Sequence, residues 1–302
     1  MPELPDVTIY LEALHPRVVG QRLERVRIGN PFLVRTIDPP VSAIEEQTVT
    51  GLRRLGKRIV FEFDADLYLV IHLMIAGRLR WREHGFAMPG KMGLAAFDFP
   101  TGTLLFTEAG SKRQASVHVV RGEASLAAHD RSGLEVLDAD LPAFAGRLLA
   151  ENHTLKRALT DPHIFSGIGN AYSDEILHAA RLSPMKLTSS LSDDEVRRLY
   201  EATQKTLQQW IERLRADAKG AFPEKVTAFR DGMAVHGRFG KPCPACGSPV
   251  QRIVYARNES NYCAKCQTEG RLLSDRALSR LLRDDWPKTL EALEQRKQAQ
   301  RP

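Results

Sequence analysis

All four cysteines of this 302-residue chain fall between 243 and 266, as Cys243-x2-Cys246 and Cys263-x2-Cys266 with 16 residues between the pairs. Two C-x-x-C knuckles at that distance place four thiolates around one tetrahedral zinc ion. Pro244 and Gly247 suit the tight turns that such knuckles need. A redox pair and an iron–sulfur cluster are the competing uses of such thiols, and the spacing fits a zinc ribbon better. Sulfur fills every coordination position, so the expected zinc is structural and holds a hairpin, with no open position for catalysis. Within that hairpin we read Arg252 as a solvated surface arginine and Arg257 as a phosphate contact. A disulfide framework is not expected, which agrees with a reducing, cytoplasmic setting.

The formal charge of +6 favours a polyanionic partner over an acidic small substrate, although many basic proteins carry such a surplus without special purpose. No run of 18 apolar residues offers a membrane span, and MPELPDVTIY lacks the basic and apolar regions of a signal peptide.

The pattern along the chain changes twice. A short leading helix is expected from Pro5, Asp6 and the shared face of Val7, Leu11 and Leu14, ending at His15-Pro16. Short runs rich in β-branched and aromatic residues follow: RLERVRI, KRIVFEF, LYLVIHLMI, LAAFDF, TLLFTE and ASVHVV, separated by Gly, Pro and Asp. Such a series argues for a sandwich or barrel. Beyond about residue 130 helices take over. LPAFAGRLLAENHTLKRALT reads as one helix, DPHIFSGIGN as a turn and AYSDEILHAARL as a second helix. A long amphipathic helix then begins at Ser192, with Glu195 completing a capping box. After the cysteines, RLLSDRALSRLLRDDW predicts one more helix. In the turn, Gly167 and Gly169 permit close backbone approach to an anion, and Asn170 is read as an N-cap able to donate a hydrogen bond.

Three separated motifs, in order, resemble the formamidopyrimidine-DNA glycosylase and endonuclease VIII family. MPELPDV is similar to its amino-terminal signature, LTDPHIFSGIGNAYSDEILHAARLSP to its helix–two-turn–helix motif, and VHGRFGKPCPACG with NYCAKCQ to its zinc finger. LGKRIVFEF, HLMIAGRLR and SGLEVLDADL match the segments between them. The resemblance implies an α+β protein: a leading helix and β-sandwich over 1–130, a helix–two-turn–helix domain over 131–235, a zinc-ribbon finger over 236–268 and a helical extension over 269–302.

It also implies an activity: a bifunctional DNA glycosylase and abasic-site lyase of base excision repair, monomeric, acting on double-stranded DNA with damaged bases or abasic sites, in a bacterial cytoplasm beside the nucleoid. Met1 would be removed and the amine of Pro2 would become the nucleophile. An α-amino group titrates near about 8, against about 10.4 for lysine, so much of it is neutral and reactive near pH 7. Glu3 would handle protons. Lys57 joins this catalytic group as the family's lysine near the damaged nucleotide. Asn170 would touch phosphate; His72 would touch phosphate or equally be a satisfied histidine of the β core; and Glu175 corresponds to an acidic residue near the family's active site, or equally to a surface helix residue.

The sequence departs from the family at the residues that fill the space of an extruded base. Ile75 stands where many members have Met, and the region from Thr107 to Gln114 lacks the family's Arg-Phe pair, leaving Arg113 as the candidate substitute. The fingertip position holds Asn258, with Arg257 one residue away. The competing reading, of another class, is a non-excising protein that binds damage or abasic sites. A zinc-ribbon transcription or RNA-binding protein is a third, and neither of its needs includes Pro2-Glu3.

Overall fold

The structure is a computed structural model that describes residues 1–110, 112–224, 226–255, 258–274 and 287–299. It divides into two compact units, residues 1–133 with 208–228 and residues 134–207 with 229–302.

In the first unit, helix α1 (Leu4–Val18) precedes eight strands among the described residues. They are β1 (Arg25–Ile28), β2 (Val49–Leu55), β3 (Arg58–Phe63), β4 (Leu67–His72), β5 (Gly77–Arg82), β6 (Gly93–Phe99), β7 (Gly102–Glu108) and β8 (Ser116–Arg121). Two four-stranded antiparallel sheets result, in the orders β1-β6-β7-β5 and β2-β3-β4-β8. Alternation directs Ile59, Phe61, Leu69, Ile71, Val117 and Val119 from one sheet into the same buried core as Leu79, Phe97, Phe99, Leu104 and Phe106 from the other. That shared core makes the unit a β-sandwich. Val7, Tyr10, Leu14 and Val18 of α1 join it, as do Phe222 and Val226. The outer face of the second sheet carries a small cluster, Val60, Val70, Val120 and Leu126, beside α2 (Glu123–Ala127).

Two local expectations need correction here. Helix α1 does not end at His15-Pro16 but runs on to Val18, whose side chain is fully buried in the core. Burial of that last apolar residue outweighs the hydrogen bond that Pro16 cannot donate. Strands β2 and β5 were not expected from their sequences, and both lie at sheet edges. Arg53 and Arg54 in one, and Arg78, Arg80 and Arg82 in the other, dilute the apolar signal, as suits strands with one side unpaired.

The second unit contains α3 (Leu141–Leu149), α4 (Leu155–Thr160), α5 (Asn170–Ala179), the hairpin of β9 (Val250–Tyr255) and β10 (Asn258–Cys263), α7 (Ala264–Thr268) and α8 (Leu290–Ala299). Helix α6 (Asp193–Ala218) clusters with this unit through Leu207 and with the first from Gln208 onward. Its capping box forms: Ser192 Oγ accepts from the Glu195 N–H and Glu195 accepts from the Ser192 N–H. The single helix expected over 141–160 is broken, because its middle finds other partners. Thr188 N–H donates to His153 O at 2.8 Å and Thr188 Oγ1 to Glu151 O at 2.7 Å, while Thr154 caps α4. Most of the helix expected over 271–286 lies outside the described residues. Leu272 and Leu273 pack partly buried against Ile253, Tyr262, Ala264 and Leu290.

Candidate active site

The amino terminus lies in a buried corner of the first unit. Pro2, Glu3, Leu4, Pro5 and Asp6 are all buried, which is unusual for chain ends. A capping box locks the corner: the Glu3 carboxylate accepts from the Asp6 N–H, and the Asp6 carboxylate accepts from the Glu3 N–H at 2.9 Å. Pro5 fits the first turn because no intrahelical bond is asked of its nitrogen. The terminal amine, carried here by Met1, is held below its ordinary value. Burial is the main cause, Glu3 and Asp6 work against it, and the cations Arg78 and Lys57 add to it. Lys57 projects from the two-residue turn between β2 and β3, where Gly56 takes the positive φ of +62° that a tight hairpin requires. Arg78 had no role in the sequence reading. Its guanidinium donates to the carbonyls of Ile75 at 3.0 Å and Gly77 at 2.7 Å, so it also braces the turn after β4.

That turn presents Ile75, 64% exposed, to solvent. The Gly77 N–H closes it on Leu73 O at 2.9 Å, and a β-carbon at Gly77 would stand 2.2 Å from the same oxygen. Only glycine fits. The loop after β7 is anchored at its base by buried Glu108, which accepts from the N–H groups of Gln114 and Ala115 at 3.0 and 3.2 Å. Arg113 donates to the carbonyl of Lys91.

In the second unit, fully buried Asp174 accepts from Lys156 Nζ (2.5 Å), His236 Nδ1 (2.8 Å), Ser260 Oγ (3.0 Å) and Asn261 N–H (3.1 Å). Burial opposes its charge, but Lys156 and His236 prevail and hold the carboxyl below the ordinary aspartate value. Its neighbour Glu175 is buried and so is not a surface helix residue. It accepts from the N–H groups of Ala234, Val235 and His236 at 2.7, 2.9 and 2.9 Å, tying the approach to the finger onto α5. Burial lifts it above the ordinary glutamate value against the pull of those donors.

The four cysteine sulfurs lie within 4.8 Å of one another, with Cys246–Cys263 at 3.4 Å and Cys243–Cys266 at 3.9 Å. A tetrahedral zinc with Zn–S bonds of about 2.3 Å requires S···S separations of about 3.8 Å, so this donor set fits one ion. Burial opposes ionisation of Cys246, yet hydrogen bonds from Ser248 and the neighbouring thiols bring it to about 6. Burial and the crowding of sulfurs push Cys263 up to about 11, a penalty that a bound cation reverses. His178 on α5 brings Nε2 to 3.3 Å from Cys243 Sγ, a contact that the sequence did not signal.

Comparison with known proteins now decides the family. The profile of the formamidopyrimidine-DNA glycosylase N-terminal domain matches residues 1–121, that of its H2TH domain residues 134–219, and the zinc finger found in FPG and IleRS residues 240–268. The formamidopyrimidine-DNA glycosylase of Thermus thermophilus is 34% identical over 278 residues, covering 89% of this chain and all of that protein. This chain belongs to the formamidopyrimidine-DNA glycosylase family. An uncharacterised formamidopyrimidine-DNA glycosylase-like protein of Mycobacterium tuberculosis is 40% identical over 151 residues, half of this chain and 94% of that one. Among solved structures, the Lactococcus lactis FPG complex with Fapy-dG DNA superposes with a TM-score of 0.78 at 25% identity, over 88% of this chain and all of that one. The Lactococcus lactis complex with DNA containing an abasic site gives 0.77 at 25% identity, over 88% and 99%.

Within this glycosylase-family chain, the expected site residues fall in two groups. Pro2, Glu3, Lys57, His72, Ile75 and Arg113 belong to the first unit, and Asn170 and the four cysteines to the second. Asn170 is the first residue of α5 and not its N-cap, which is Gly169. Its side-chain amide donates to Glu259 O at 2.8 Å, linking helix and finger. Arg252 pairs with Glu259 and lies over the ring of Phe239, so it is more engaged than a simple solvated arginine. Arg257 lies outside the described residues.

Proposed function

We propose that this protein removes oxidised or ring-opened bases from duplex DNA and then cuts the strand, with the amine of Pro2 as nucleophile. Its family supplies the general activity, a DNA glycosylase of base excision repair, and the Fapy-dG and abasic-site complexes of its relatives support the lesion class. One observation carries the mechanism: a buried terminal corner in which burial first, and Arg78 and Lys57 after it, hold the amine of Met1 below its ordinary value against Glu3 and Asp6, while a capping box fixes Glu3 next to Pro2. Removal of Met1 would free the Pro2 nitrogen, which is otherwise tied up in a peptide bond. The nitrogen's lone pair attacks C1′ and the C1′–N bond to the base breaks, its electrons leaving with the base. Opening of the sugar gives a C1′=N⁺ iminium, permanently charged because proline is a secondary amine. The iminium acidifies C2′; loss of that proton expels the 3′ phosphate by elimination. Glu3 is suited to protonate the sugar ring oxygen and to carry protons between steps. Lys57, His72 and Asn170 are proposed to bind DNA phosphates, Ile75 and Arg113 to occupy the space of the extruded base, and Arg257 to serve at the fingertip. Four thiolates would hold one zinc that shapes the finger and takes no part in the chemistry. Among the described residues no helix is long and apolar enough to cross a membrane.

Glu3→Gln separates the steps. Base excision from a duplex carrying a ring-opened purine should fall by about 10²- to 10⁴-fold, the usual range for a lost proton donor. Cutting of a preformed abasic site should suffer less. Equal losses in both assays would make Glu3 a structural cap only.

A further inference from the structure

The outer face of the β2-β3-β4-β8 sheet ends in an unusual row of side chains. Arg58 on β3 pairs across the ladder with His72 on β4, and His72 with Ser116 on β8. His118 follows two residues along β8 on the same face, and its ring meets that of His129 edge-on at a centroid distance of 4.6 Å. Arg58 Nη1 donates to the His129 carbonyl at 2.9 Å, which ties the loop after α2 to the row. None of the three imidazoles makes a side-chain hydrogen bond or ion pair among the described residues, although each is partly buried.

Charge in this region is almost all of one sign. Arg58, Lys57 and His118 act on His72; His129, Arg58 and Arg35 act on His118; Arg58 and Arg131 act on His129. Asp130 is the acidic group acting on Arg58, and its carboxylate is already engaged by the Ser132 N–H at 2.9 Å. Arg58 and the imidazoles are partly buried while Arg35 and Arg131 are exposed, so the patch offers cations and hydrogen-bonding rings side by side to an anionic ligand. A metal does not explain it. Among the described residues, the group whose ligand atoms come close enough for an ion is the four cysteines.

We propose that His118 and His129, with Arg58, Arg35 and Arg131 around them, form a binding site for a DNA phosphodiester beyond the Lys57–His72 end of the row. This deepens the DNA-glycosylase reading and rests on it. Burial first, and the neighbouring cations second, hold His72 and His118 at about 4, so both rings are neutral in the free protein near pH 7. A phosphodiester placed among them reverses the repulsion and favours the charged rings. Their pKa values therefore rise on binding, protons are taken up, and affinity increases as pH falls from 8 toward the free values. Arg58 and Arg131 remain charged throughout and supply the salt-dependent part of the attraction.

The test measures binding of the full-length protein to an undamaged and an abasic-analogue duplex by fluorescence anisotropy between pH 8 and 5.5. The wild type is compared with H118N/H129N and with R131A, a change of an exposed residue that leaves the folded core alone. Thermal melts check folding. The double variant should bind both duplexes about tenfold more weakly at pH 6, about the loss expected for one charge-assisted contact, and should lose much of the pH dependence. R131A should reduce the salt slope by about one unit. Unchanged affinity and pH profile in a folded double variant overturn the proposal. So would imidazole NMR shifts of His118 and His129 that saturate with inorganic phosphate and do not change with duplex. Borohydride trapping on the same samples reads the catalytic proposal separately, since its failure in the wild type leaves the binding ratios measurable.

Discussion

Two buried polar assemblies, one in each unit, use charge in opposite ways. Around Asp174, each charge has a partner: one carboxylate receives a lysine, a histidine, a hydroxyl and a backbone N–H, and the next residue receives three more N–H groups. In the first unit, burial holds the terminal amine below its ordinary value while Glu3 and Asp6 oppose Arg78 and Lys57, and Arg58 stands among imidazoles that make no side-chain hydrogen bond among the described residues. A satisfied network holds parts together; an excess of one charge is kept for something that arrives. Under the proposed mechanism the chemistry falls to the first unit, which carries Pro2.

The largest effect should come from the finger. Cys263→Ser removes one thiolate from a site whose zinc contributes about 10–16 kcal/mol in comparable fingers, so metal content and protease resistance of residues 236–268 should both collapse. Retained stoichiometric zinc with normal resistance would break the structural side of the comparison. The two lysines sharpen it. Lys156→Ala strands a fully buried carboxylate and should cost about 3–5 kcal/mol in denaturant unfolding, whereas Lys57→Ala should change stability by only about 0.5 kcal/mol and act instead on activity. Equal destabilisation would erase the distinction. Because Asp174 titrates below the ordinary value, its stabilising contribution is present above about pH 4 and is lost as pH falls below that; Lys156→Ala should flatten this acid limb. A smaller loss, about 1–3 kcal/mol, is expected from Gly77→Ala, which drives a methyl into the Leu73 carbonyl and displaces the turn bearing Ile75. Wild-type stability in that variant would mean the turn relaxes freely.

What could be read from the sequence follows the range of the interactions involved. The cysteine cluster was legible because four thiolates in two knuckles have few other uses. Six strands and the start of α6 were legible because alternation and capping are local signals. Strands β2 and β5 escaped because arginines mark them as edges, and the break between α3 and α4 escaped because its cause is Thr188, more than thirty residues away in the chain. Glu175 shows the limit most clearly: its partners are backbone N–H groups some sixty positions on, and no side-chain pattern announces them. Arg78 lay within a quoted motif, yet its two roles depend on where β5 begins.

The central claim is that the amine of Pro2, freed by loss of Met1 in a buried corner, is the nucleophile. Borohydride reduction during reaction with a duplex containing an abasic site, followed by peptide mapping of the adduct, tests it directly. The account predicts a protein that has lost Met1, with the reduced sugar attached at Pro2, and no adduct from Pro2→Gly at comparable rate. An adduct mapped to Lys57 or another lysine, or full trapping by a protein that retains Met1, would contradict it.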